Sequence, residues 1–203
     1  MLFFRSVVLA SALGLCAAQA QAHSFKSGTD QYAQFLEGAG IILRYPEMLL
    51  PLLALGILLS LWHVEGMLRA WPAFLIGQMV GIGLAALVGP WITLAVLSAG
   101  LLTAMLVALL PRHIPIEAMA LSLGVGLLVT ATSLEGHGFL ELPVFIYLGI
   151  VFATNLVTAS AAAVARLAME RFPAAWMRIL WRVAGSWLAA ILTLFLAFSA
   201  TAG

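Results

Sequence analysis

Between the charged clusters of this chain lie apolar runs of roughly the 20 residues that a helix needs to cross a bilayer. Six follow one another, at 46–62, 71–88, 91–110, 116–132, 142–165 and 179–200. Each is bounded by charge, proline or glycine and carries almost no charge inside, as burial in hydrocarbon demands. Only Gly89-Pro90 separates the second run from the third, which reads as a tight turn between antiparallel helices. The pattern predicts an all-α integral membrane bundle of six transmembrane helices.

The first stretch follows a different pattern. Residues 1–22 carry one positive charge, Arg5, then a short apolar run at 7–18, then small residues. Ala20-Gln21-Ala22 fits an A-x-A cleavage site, and Ala18-Gln19-Ala20 fits as well. Residues 1–22 are therefore expected to be a cleavable signal peptide, with an uncleaved anchor as the alternative, and residues 23–203 the single transmembrane domain. Such a leader suits a bacterial chain, which would place the mature N-terminus in the periplasm and the bundle in the inner (cytoplasmic) membrane.

Counting cations tests that orientation. With the N-terminus exported, inner loops hold Arg69, Arg112, Arg166, Arg171, Arg178 and Arg182, and outer segments hold Lys26 and Arg44. This obeys the positive-inside rule. The tryptophans Trp62, Trp71, Trp91, Trp176, Trp181 and Trp187 fall mostly near expected span ends, like an interfacial belt.

Composition narrows the function classes. Of 203 residues, 64% are hydrophobic and 8% charged, too few polar groups to coat a water-facing surface. The net charge of +1 gives no basic field for nucleic acid. Cys16, the single cysteine, lies in the leader, so the mature chain has no disulfide. Neither Ser60 nor Ser122 has a base at a suggestive spacing, so no enzyme is expected. Gly77-x-x-x-Gly81, Gly83, Gly124-x-Gly126 and the alanines at 159–163 read as seams for close helix packing.

Candidate chemistry gathers on the expected outer side. Glu47 opens the first span with Met48 beside it, either complementing the helix dipole or offering an oxygen and a thioether at a pore mouth. The stretch Ser133-Leu134-Glu135-Gly136-His137-Gly138-Phe139-Leu140-Glu141 sets one imidazole between two carboxylates on a glycine-rich backbone. It is either a solvated turn or a contact for Ni²⁺, Co²⁺, Zn²⁺ or Cu²⁺. His23, at or near the mature N-terminus, adds an imidazole and, if first, an amine. His63 and His113 are expected at inner span ends as solvated caps. Thr154, Asn155 and Thr158 share a face of the fifth span and would either bond neighbouring helices or line a hydrated path, with Gln78 and Thr103 facing the same interior.

Taken in order, these blocks resemble the HupE/UreJ family, membrane proteins of hydrogenase and urease gene clusters. Residues 45–56, Y-P-E-M-L-L-P-L-L-A-L-G, resemble the family's G-L-D-H-L-L-A-M-L-A-V-G. Residues 134–143, L-E-G-H-G-F-L-E-L-P, resemble its H-G-H-A-H-G loop and the E-L-P-like turn after it. Residues 147–158, Y-L-G-I-V-F-A-T-N-L-V-T, resemble Y-x-x-G-F-x-x-A-T-x-x-L-H with the glycine one residue earlier. Residues 115–122 resemble V-E-x-x-I-A-L-S, and residues 182–185 resemble R-x-A-G. The resemblance implies a permease-like protein for nickel or cobalt, or an accessory protein that delivers metal to a metalloenzyme. The family's Asp-His pair is Glu47-Met48 here, and its fifth-span histidine is Thr158. A methionine in place of histidine adds copper to the candidate ions, since thioethers favour Cu(I). A non-transporting assembly partner is the alternative.

Overall fold

The computed structural model describes residues 30–109 and 114–201. The expected signal segment 1–22, His23, Lys26, Arg112 and His113 lie outside the described residues. Seven α-helices follow in order: α1 (Gln31–Arg44), α2 (Pro46–Trp62), α3 (Gly66–Leu84), α4 (Trp91–Leu109), α5 (Pro115–Ser133), α6 (Val144–Arg171) and α7 (Ala175–Thr201). A 3₁₀ turn, Ala85–Leu87, extends α3. Five of these helices are individually long and apolar enough to cross a membrane, and α1 with α2 makes a sixth span if the bent pair is counted as one. The chain is thus a multi-pass helical membrane bundle.

The first span departs from expectation. Helix α2 has 17 residues, about 25 Å of rise, short of a bilayer's hydrocarbon core. It is preceded by α1, a helix outside the six expected runs, and the two axes bend by 76° at Tyr45. Pro46, the first residue of α2, accounts for the break, because proline opens helices and forces the residue before it into extended backbone. Tyr45 is extended, at φ −101° and ψ 108°. Helix α1 is held by packing: Phe35, Gly38, Ala39 and Ile42 form one stripe. A Cβ on Gly38 would strike the Ile146 carbonyl, and one on Gly149 the Phe35 carbonyl, so α1 lies against the first turns of α6 with opposite chain sense. The Phe35 and Phe152 rings add a contact at 5.4 Å.

Helix α2 is the hub. It is apolar all round, as a helix surrounded by others must be, and Leu52, Leu55, Leu58 and Leu59 are wholly buried. It touches α4 and α6 most extensively, then α5, α7, α3 and α1. The tightest pairing lies outside it, between α3 and α5. There Gly77 and Gly81 meet the Leu123 and Leu127 carbonyls, and Gly126 meets that of Phe74. The expected seam is therefore real, but Gly83 and Gly124 face open space and take no part in it. Helix α7 packs chiefly on α4 and turns most of its apolar side chains outward, as lipid contact allows. Trp187, near the middle of α7 and 69% exposed, sits away from the interfacial belt expected for it.

Alternating helices collect the arginines at one end. Arg69 begins α3, Arg166 and Arg171 end α6, and Arg178 and Arg182 begin α7. Arg182 donates to the Ala108 and Leu109 carbonyls, capping the last turn of α4. The opposite end carries Arg44, Glu47 and the α5–α6 loop.

Candidate functional site

At that opposite end, two sequence-distant stretches meet. The Ser133 hydroxyl, in the last turn of α5, lies 3.2 Å from the Met48 sulfur in the first turn of α2, and both residues are fully buried. Ser133 also donates to the Val129 carbonyl at 2.7 Å. Glu47, beside Met48, is half-buried. Pro51 follows Glu47 by four residues and has no N–H, so the Glu47 carbonyl lacks its helical donor. Glu47 thus presents a carboxylate and an underused main-chain oxygen at the mouth of the central helix.

Beyond Ser133 the loop folds into two turns. His137 N–H donates to the Leu134 carbonyl at 3.1 Å, and its ring Nδ1 lies 3.2 Å from the Glu135 carbonyl oxygen. Gly136 takes φ 80°, a left-handed position suited to glycine. The second turn is closed from both sides: Gly138 N–H donates to Glu141 Oε2 at 2.5 Å, and Glu141 N–H donates to the Gly138 carbonyl at 3.1 Å. Within it, Leu140 holds φ 59° and is 62% exposed, a strained position for a branched side chain. Burial pushes the Glu135 carboxyl above its ordinary range. Glu141 is engaged with its own turn rather than turned toward Glu135 and His137. Among the described residues, no three or more His, Cys, Asp or Glu side chains converge as a metal-binding group.

No family model, curated protein or solved structure matches the chain.

The fifth-span polar residues divide into two roles. Thr154 donates to the Ile150 carbonyl at 2.7 Å and Thr158 to the Thr154 carbonyl at 3.0 Å, both within α6. Asn155 instead bridges helices. Its Oδ1 accepts from Trp71 Nε1 at 2.9 Å, and its Nδ2 donates to Gln78 Oε1 at 3.0 Å and to the Val151 carbonyl at 2.8 Å. Gln78 and Thr103 are both fully buried; Gln78 reaches Asn155, whereas Thr103 donates to the Ala99 carbonyl on its own helix. The Gln78 amide nitrogen and the Thr130 hydroxyl, on facing helices α3 and α5, are buried without a protein partner among the described residues. Sequence reading placed Trp71 in an interfacial belt; its pairing with Asn155 follows only from the folded position of α3 against α6.

At the arginine-rich end, His63 caps α2 and accepts from the Glu65 N–H through Nδ1 at 3.0 Å. That bond leaves Nε2 as the protonated nitrogen of the neutral ring. Arg69 pairs with Glu65 at 3.7 Å, an exposed link one turn apart.

Proposed function

We propose that this chain is a permease-like inner-membrane protein of HupE/UreJ type that handles a transition-metal ion, nickel, cobalt or copper, entering from the end that bears the α5–α6 loop. The supporting observation is the Ser133–Met48 contact, which joins the two stretches carrying the family resemblance. Glu47, with its carboxylate and its carbonyl freed by Pro51, and the loop residues Glu135, His137 and Glu141 would gather the ion. Met48 would set its preference through a polarizable sulfur, and His23 would add an imidazole from the exported N-terminus. Thr154, Asn155 and Thr158 would flank the route. In this reading the arginine-rich end faces the cytoplasm, in keeping with the positive-inside rule.

The test is uptake of radiolabelled nickel, cobalt and copper by cells with and without the gene, repeated with Glu47→Gln and His137→Ala. Loss of uptake for one ion on deletion, reduced in both variants, supports the reading. Unchanged uptake of all three removes it.

A second reading, a non-transporting membrane partner in metalloenzyme assembly, draws on the inward-turned hydroxyls. Thr154 and Thr158 spend their donors on their own helix, as expected of a packed seam rather than an ion route. Stable co-purification with an accessory protein, without bound metal and without an uptake phenotype, would favour it.

A further inference from the structure

The bundle's arginine-rich end contains two cavities that the metal reading does not use. One, of about 250 Å³, is lined by residues of the α6 C-terminus and the α7 N-terminus, including Arg166, Glu170 and Arg178. The other, of about 170 Å³, lies beside the end of α2, against Trp62 and His63. Arg166, Met169 and Arg178 form walls of both, so the two guanidiniums stand at their junction.

The charges there are incompletely balanced. Arg166 gives its Nε–H to Glu170 at 2.6 Å, and among the described residues that carboxylate is the one acidic side chain lining either cavity. The Arg166 terminal nitrogens and the whole Arg178 guanidinium have no side-chain partner among the described residues. His63, with Nδ1 occupied by the Glu65 N–H, directs its remaining ring donor elsewhere. The first turn of the 27-residue α7 adds the positive end of its dipole to the first cavity. The second cavity therefore has two guanidiniums and an imidazole in its walls, while the carboxylate borders only the first, so positive charge and donors are in excess there. Such a set matches a tetrahedral oxyanion, to which arginine binds with paired hydrogen bonds. Its position supplies the rest: it lies between the ends of the apolar helices α2, α6 and α7, the kind of setting in which basic pockets between helices take lipid phosphates.

We propose that this pocket binds a phosphate group, held by Arg166 and Arg178 with His63 as a further donor. An anionic phospholipid headgroup or a soluble phosphate would present the same chemistry. The full chain is purified and placed in phosphatidylcholine nanodiscs with or without one-tenth phosphatidylglycerol. Lipid kept through detergent washing is measured by mass spectrometry, and binding of inorganic [³²P]phosphate is measured in parallel. Enrichment of phosphatidylglycerol by wild type, lost about tenfold in Arg166→Gln/Arg178→Gln and largely restored in Arg166→Lys/Arg178→Lys, assigns the site to lipid. Saturable phosphate binding with the same variant pattern, and no lipid enrichment, assigns it to a soluble phosphate. Arg178→Gln alone, at an exposed side chain with no side-chain partner among the described residues, keeps the test open if the double variant fails to fold; about threefold loss is expected. Equal retention of both probes by wild type and folded glutamine variants overturns the proposal.

Discussion

Helices α2 and α7 are both strongly apolar, yet they occupy opposite situations. Helix α2 is enclosed by its neighbours, with ten buried residues among its 17. Helix α7 buries Met177, Gly185 and Leu192 and offers most of the rest to lipid. In hydrocarbon, apolar character does not decide which helix is central, because lipid solvates leucine as well as protein does. Close backbone approach and packing decide it, and there the two helices differ in kind. Gly56 of α2 faces the backbone of α6, where a Cβ would come within 2.5 Å of the Thr158 carbonyl and 3.0 Å of the Ala162 nitrogen. Gly185 of α7 faces mainly the Val107 side chain of α4.

The largest effect is therefore expected from Gly56→Val, a loss of about 3 kcal/mol or more, because backbone cannot turn aside. Gly185→Ala should cost about 1 kcal/mol, since Val107 can shift. Reversible unfolding in mixed micelles measures both; equal losses would break the contrast between hub and periphery. Next, Leu55→Ala in α2 should lose about 2 kcal/mol to an unfilled cavity, while Leu194→Ala in α7, 59% exposed, stays near zero.

Polar pairing sharpens the contrast at a smaller scale. Asn155→Leu leaves Trp71 Nε1 and Gln78 Oε1 without their shared partner and should cost about 1 kcal/mol, read by the same unfolding assay and by a shift in Trp fluorescence. Thr193→Val in α7 removes a bond confined to its own helix and should move stability by less than about 0.5 kcal/mol. The smallest effect belongs to Glu135. Burial disfavours its charge and raises its folded carboxyl above the ordinary carboxylate range, so the folded state binds the proton more tightly than the unfolded chain. Stability should thus fall slightly as pH rises from the ordinary carboxylate range through the raised folded value, and Glu135→Gln should flatten that slope. A slope unchanged in the variant would assign it to another group.

Much of the bundle was legible because charge exclusion from hydrocarbon is strict. The runs expected at 91–110 and 116–132 and the Gly89-Pro90 break fall within a few residues of the helix limits. Helix α1 was obscured because Gln31, Gln34, Glu37 and Arg44 interrupt the apolar pattern, although Phe35, Ala39 and Ile42 carry a helical period. Helix α6 outran its apolar block to Arg171 because long basic side chains can reach the interface from a helix that continues past the hydrocarbon. At the candidate site, the residue types in the α5–α6 loop were visible, but not that Glu141 would close a turn on Gly138. Nor could spacing alone announce the meeting of Met48 with Ser133, which depends on how α2 is threaded among its neighbours. Pro51 was legible in principle, since its offset from Glu47 states which carbonyl goes unpaired.

The elbow at Tyr45 has a mechanical consequence. Helix α1 is clasped by α6 but is covalently continuous with α2, so a single residue bridles two rods that otherwise touch only by packing. Were the hub to slide past α6 with α1 still clasped, the backbone torsions of that one joint would have to absorb the displacement.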